Sequence, residues 1–342
     1  MKTLYARYNR HRLPPFQIET SIVVGNGSCL VVKKALTGEA KSHIAAIHDG
    51  HELVRSHLRG VAANPSEKKL PCLMTGANLA LPRLENFDGS SISFQYIEGK
   101  SLDQLLFEAF RADDKTSFFG IIDDYRALLK ESFGVSPSAD ITAEISRIFG
   151  ISSGDSFGEN AGWLPLALVD AMFENIIMSG NSCYLIDNEW VFKGNLHFDF
   201  ILFRSLFYFH KVKYFELGIE RWLPFADLTA RYCMRPSLVE KYTAMDEKFQ
   251  SHVYGPERCF KYKDRYKKRE IQVHALEQTI EHQREVVRKY HDAVLQDEAT
   301  INEMLNSFSW RIGRKITGIL GALCPKSWKE RRYASNNAGR QM

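Results

Sequence analysis

Three polar residues in the stretch DAMFENIIMSGNSCYLIDNEW (170–190) have the types and spacing for phosphoryl transfer: Asp170, Asn175 five residues on, and Asp187 twelve further. A first aspartate can accept the proton of an attacking hydroxyl. An asparagine and a second aspartate supply hard oxygen ligands for Mg²⁺, which holds phosphate charge in line with that hydroxyl. Between them lie two short β-type runs, 175–178 and 183–186, so Asp187 closes an apolar strand. The bland alternative is a β-hairpin with polar caps. Asp-x4-Asn alone does not exclude it, and the third carboxylate at the strand end favours the chemical reading.

Such a floor needs a cation above it and a cleft to close on it, and both are present upstream. Residues 29–36 (CLVVKKAL) form a β-branched run carrying two lysines, followed by a helical pattern over 37–58 with Thr37 as its N-cap. Side chains alternate along a strand, so one lysine of the pair can face a cleft. Lys33 is the first choice for holding nucleotide phosphates, with Lys34 in reserve. Glu52 on the helix is the expected carboxylate partner, and Glu39 in its first turn better suits the helix dipole. Next, FQYIEG (94–99) reads as a strand ending in a hinge, with Ser101 capping a helix. Backbone groups of Gln95, Tyr96 and Ile97 are the expected contacts of an adenine edge. This order of lysine, helix, hinge, Asp-Asn and Asp predicts a protein-kinase-like fold binding ATP and Mg²⁺. Asn26-Gly27 predicts a tight hairpin between the second and third strands. The loop covering the phosphates would then be 8–15, which offers Arg10, His11 and Arg12 instead of glycines.

RHRLPPFQIETSIV, VVKKAL, the Asp170/Asn175 pair and LIDNEWVF with FDFILFRSL resemble one family. They are similar to the kinase domains of bifunctional methyltransferase–kinases that terminate bacterial O-antigen chains, and to related domains attached to some glycosyltransferases. The resemblance covers about residues 5–209. It implies an ATP- and Mg²⁺-dependent kinase acting on a sugar hydroxyl at the non-reducing end of a lipid-linked polysaccharide. It also implies Lys33 on phosphates, Asp170 as catalytic base, and Asn175 and Asp187 on Mg²⁺. Glu189 and Trp190 match the family's run after the metal aspartate. Leu168 and Val169 stand where a buttressing histidine is usual. No methyltransferase domain is expected, because the kinase-like region begins near Met1. Three alternatives stay open: a small-molecule kinase of the aminoglycoside or choline type, an inactive kinase-like scaffold that recruits glycan-assembly enzymes, and a non-enzymatic membrane-assembly module in which only the C-terminal rod matters.

The expected fold class is α+β, a bilobal domain over 1–256 with a small lobe at 1–93, a hinge at 94–99 and a large lobe at 100–256. Arg204 is expected to brace the floor or to form a buried pair with Asp199, and Trp163, Phe173, Trp190 and Phe192 are candidates to stack on sugars. Six cysteines lie far apart without metal-ligand spacing, which excludes a zinc motif and a disulfide framework. No run of apolar residues predicts a transmembrane helix, and no secretory signal is visible.

The C-terminal part differs in charge and period. Residues 258–342 hold 18 basic against 10 acidic residues, a net +8, and the remainder carries −4. Val273, Ile280, Val287, Val294 and Ile301 recur every seven residues, as do Leu276, Gln283, Tyr290, Asp297 and Met304. This heptad pattern predicts a coiled coil over 257–306 and a homo-oligomer. Residues 307–342 form a basic tail, with Trp310, Ile312, Ile316, Ile319, Leu320 and Leu323 beside Arg311, Arg314 and Lys315. It fits an anionic membrane surface or a glycosyltransferase partner. No nucleic-acid module accompanies it. The expected location is the cytoplasmic face of the inner membrane.

Overall fold

The computed structural model describes residues 2–25, 27–62, 78–157, 162–180, 182–256 and 262–323. The chain divides into two compact units, Met1–Arg269 and Glu270–Met342.

The first unit is mixed α/β. It opens with β1 (Lys2–Tyr8), β2 (Ile18–Gly25), β3 (Ser28–Ala35) and α1 (Lys41–Ala62). Then come β4 (Asn78–Ala80), β5 (Leu84–Phe87), β6 (Ser91–Gln95) and β7 (Lys100–Ser101). Strands β1-β2-β3-β6-β5 make an antiparallel sheet. Its β2–β3 register closes at Gly25↔Ser28, and Gly27 takes the positive φ (78°) that a tight hairpin requires. Ile18, Ile44, Ile47, Ile92 and Phe94 form a small core between this sheet and α1. The helix begins at Lys41, later than Thr37, because Thr37 makes a separate turn. Its hydroxyl donates to the Pro14 carbonyl (2.8 Å) and accepts the Ala40 N–H (3.1 Å).

The chain then crosses to a larger core through β7, which pairs with β9 (Ile176–Ser179). Gly99 is required at this crossing: a Cβ there would lie 2.1 Å from the Met178 carbonyl oxygen and 2.7 Å from Ile177 Cγ2. The helix α2 (Leu102–Arg111) starts in a reciprocal capping box between Ser101 and Gln104. It is followed by α3 (Lys115–Phe133), α4 (Ala143–Phe149) and β8 (Trp163–Leu168). After β9 come β10 (Ser182–Leu185), β11 (Val191–His197) and α5 (Phe198–Phe207). Strands β9 and β10 form the hairpin expected around Asn175 and Asp187, shifted by one residue at each end. The short helices α6 (Ile219–Trp222) and α7 (Phe225–Arg231) lead to α8 (Pro236–Tyr254). The α5 segment is apolar nearly all round and buried along its length, the central helix of this core.

The second unit contains most of α9 (Tyr262–Asn306) and α10 (Phe308–Leu323). Along α9 the heptad residues Ile280, Val287, Val294 and Ile301 are each at least half exposed in the single chain. Among the described residues, no helix is long and apolar enough to cross a membrane.

Candidate active site

The floor of the site is the loop between β8 and β9, and its shape follows from backbone groups flanking Asp170. Arg204, on α5, donates to the Val169 carbonyl. On the other side the Tyr125 hydroxyl, from α3, donates to the Ala171 carbonyl at 2.6 Å. Two buried donors thus hold the peptides before and after Asp170, in the place where a buttressing histidine is absent from the sequence. Arg204 is anchored by Asp246 of α8, Nε to Oδ1 at 2.6 Å, and not by the expected Asp199. Both side chains are sealed from water, 3% and 0% exposed. Asp199 is on the same helix as Arg204, whereas Asp246 meets it only through packing of α8 against α5. Burial alone would lower the Arg204 guanidinium, but Asp246 outweighs it and holds the charge firmly.

Asp170 itself accepts the Trp190 N–H at 3.2 Å, and its own carbonyl accepts the Asn175 side-chain amide at 2.9 Å. Asn175 thereby keeps its amide oxygen for another partner. Burial, then the negative charges of Asp187 and Glu189, push the Asp170 carboxyl well above its ordinary value, against Arg204 and Lys33. A carboxylate with raised proton affinity is suited to taking a proton from a hydroxyl.

Above the floor stands Lys33. It is buried on β3 while Lys34 points outward, as strand alternation requires. Its ammonium lies 2.5 Å from Asp187 Oδ1 and 3.2 Å from Glu189 Oε2. Burial would depress the Lys33 ammonium, yet these two carboxylates hold it above its usual value. Glu52 does not take part: it pairs with Arg55 one turn along α1. The helix instead sends His43, whose Nε2 is 2.9 Å from Glu189 Oε1, and Arg12 from the β1–β2 loop also pairs with Glu189. The bland signal in the sequence was a basic loop at 8–15, and nothing local marked which arginine would turn inward.

A cavity of about 720 Å³ opens beside these groups, lined by Asp170, Asn175, Asp187, Glu189 and Arg12, and further along by Asp103, Glu174 and Lys213. Asp103 is buried and binds Lys213 (2.5 Å) and the Tyr214 hydroxyl (2.8 Å) at the end of a π-helical turn, Tyr208–Lys213. Of the four aromatics expected to stack on sugars, only Trp190 lines this cavity. Trp163 and Phe173 are core residues, packed against Phe157 and Tyr125. Phe192 is half-buried against Phe149. Gln95, Tyr96 and Ile97 do not line the cavity either. The Gln95 N–H serves the Arg83 carbonyl and the Tyr96 N–H the Cys29 carbonyl, so both are spent on neighbouring backbone.

The donor set fits Mg²⁺ in one form only. Among the described residues, no cluster of three His, Cys, Asp or Glu could cage a metal. Asp187, 40% exposed, and the Asn175 oxygen offer two hard ligands on the cavity wall. Mg²⁺ is commonly held by one or two protein oxygens with the rest of its shell from phosphates and water.

No protein-family profile matches the chain, and no curated protein matches it. Among solved structures it is similar to the apoenzyme of a macrolide 2'-phosphotransferase from Brachybacterium faecium. That likeness has 11% identity and a TM-score of 0.29, covering 71% of this chain and 82% of that one. A likeness of this degree is weak and carries no weight for the activity.

Proposed function

We propose that the chain is an ATP- and Mg²⁺-dependent phosphotransferase with a hydroxyl acceptor. One observation carries this: Lys33 from the five-stranded sheet meets Asp187, two residues past the β9–β10 hairpin, at 2.5 Å, beside the cavity that Asp170 and Asn175 line. In this reading Lys33 holds phosphate oxygens, and Asp187 and Asn175 hold the metal. The bound metal would neutralise phosphate charge. Asp170 accepts the acceptor's proton, with its loop fixed by Arg204 and Tyr125 so that carboxylate and hydroxyl are already aligned. With the Gln95 and Tyr96 N–H groups spent on neighbouring backbone, adenine would be left the Ile97 N–H and the nearby carbonyls.

The finer reading is a kinase that phosphorylates a sugar at the non-reducing end of a lipid-linked bacterial polysaccharide and so stops its growth. Its support is the residue-by-residue resemblance over 5–209. The chain's second unit suits that setting. Exposed heptad residues on α9 favour self-association into a coiled coil. On α10, Phe308, Trp310, Ile312, Ile316 and Ile319 are exposed beside Arg311, Arg314 and Lys315, a composition that suits an anionic membrane surface.

The test begins with thermal shift in Mg·ATP for the native chain, Lys33→Ala and Asp187→Asn. Stabilisation that requires Mg²⁺ and vanishes in Asp187→Asn is expected. Transfer of labelled γ-phosphate is then compared across lipid-linked glycans, aminoglycosides and choline. Label on the glycan terminus supports the finer reading, and label only on a small soluble acceptor overturns it. No nucleotide effect at millimolar concentration overturns the phosphotransferase reading itself.

A further inference from the structure

Lys33 touches two carboxylates that differ in every other respect. Asp187 is 40% exposed and lies on the cavity wall, where a metal would be reached. Glu189 is 5% exposed and is enclosed by groups from three separate elements. Lys33 reaches it from β3, His43 from α1, and Arg12 from the loop between β1 and β2. Arg12 also lies over the Trp190 ring, 5.7 Å from its centroid, so the loop residue is fixed on two sides. The carboxylates of α1 do not compete: Glu52 is paired with Arg55, Asp49 is 81% exposed beside His48, and Glu39 is exposed ahead of the helix.

We infer that Glu189 is the carboxylate that orients Lys33 toward the phosphates, and that Arg12 and His43 are the residues that position Glu189. The inference rests on the phosphotransferase reading and deepens it. A lysine that must leave Asp187 when that residue engages a metal needs a second anion to stay in place, and Glu189 is the anion that Arg12 and His43 hold there. Because Glu189 is shared with Arg12, the seating of the β1–β2 loop and the alignment of the lysine are coupled. The lysine is aligned from the floor, and α1 contributes to that alignment through His43.

The experiment uses the full chain and its basal hydrolysis of Mg·ATP, with Glu189→Gln, Glu189→Asp and Glu52→Gln. Glu189→Gln is expected to lower kcat ~100-fold, the scale for losing one aligned electrostatic contact. Its KM for ATP should change by less than about threefold, which marks a contact realised in the reaction and not in binding. Glu189→Asp recovers part of the rate, and Glu52→Gln matches the native chain. Loss of rate in Glu52→Gln, or a native rate in Glu189→Gln, overturns the inference. Should Glu189→Gln fail to fold, Glu189→Asp with a native rate in a folded chain overturns it equally. Melting temperatures without nucleotide provide a readout independent of catalysis. Lys33→Met and Glu189→Gln should be non-additive in the double variant, whereas Lys33→Met with Glu52→Gln should be additive. Non-additivity in a chain that neither binds nor hydrolyses ATP sinks the phosphotransferase reading and leaves the pairing standing. Additivity of the Lys33–Glu189 pair overturns the inference itself.

Discussion

Replacing Asp246 by Asn keeps the shape of a side chain that has no contact with water and removes its charge. Arg204, 3% exposed, is then a buried cation whose anchoring anion is gone. Removing one partner of a buried pair costs about 3–5 kcal/mol, most of it the stranded charge. For a unit of this size about 2–4 °C is lost per kcal/mol, so the melting temperature should fall by about 6–20 °C. The helices α9 and α10 add far-UV signal from outside the first unit's aromatic core, so the melt is best followed by near-UV circular dichroism of that core. Arg204→Met with Asp246→Leu strands no ion. It loses the donor to the Val169 carbonyl and the Tyr208 contact with Asp246 (3.3 Å), about 1–3 kcal/mol. The double variant is therefore expected to be more stable than Asp246→Asn and still poor in phosphoryl transfer, by about 10–100-fold, because the peptide before Asp170 is no longer held. A shift below about 2 °C in Asp246→Asn would refute the pairing energetics. So would a double variant less stable than the single one.

Gly99→Ala is expected to cost about 1–3 kcal/mol or more, since its Cβ meets backbone at 2.1 Å, while Gly38→Ala, with nothing within 4 Å, stays within about 0.5 kcal/mol. Chemical denaturation of both variants checks this. Burial pushes His51 and His197 down from 6.5 to about 4, so the unfolded chain takes up their protons first as pH falls. Stability should decline from about pH 6.5 and level off below about pH 4, by about 3 kcal/mol per histidine. Melts from pH 7.5 to 4.5 should flatten in His197→Phe, and an unchanged pH slope would contradict this. Val287→Lys with Val294→Lys is expected to convert an oligomer to a monomer in sedimentation equilibrium without altering nucleotide binding, because both residues sit more than half exposed on one stripe of α9.

Local chemistry was readable without the fold. The β2–β3 hairpin at Gly25↔Ser28, the burial of one lysine of the Lys33/Lys34 pair, the Ser101 cap and the β9–β10 pair follow from alternation, turn residues and caps, which act over a few residues. The amphipathic pattern of α1 was equally legible, but its start was not, because Thr37 spends its hydroxyl on Pro14, twenty-three residues earlier in the chain.

What only the tertiary structure decided was partnership. Lys33 finds Glu189 across 156 residues, Arg12 finds it across 177, and Arg204 finds Asp246 on a helix 42 residues away. The sequence held nearer candidates, Glu52 on the next helix and Asp199 on the same one, and packing passed over both. A charge in a buried site is stable only beside an opposite charge in the same enclosure, and which enclosure a side chain enters depends on how distant elements pack. Residue types and spacing therefore marked the candidate chemistry, while the packing of β3, α1 and α5 against the floor decided which carboxylates stand beside Lys33 and Arg204.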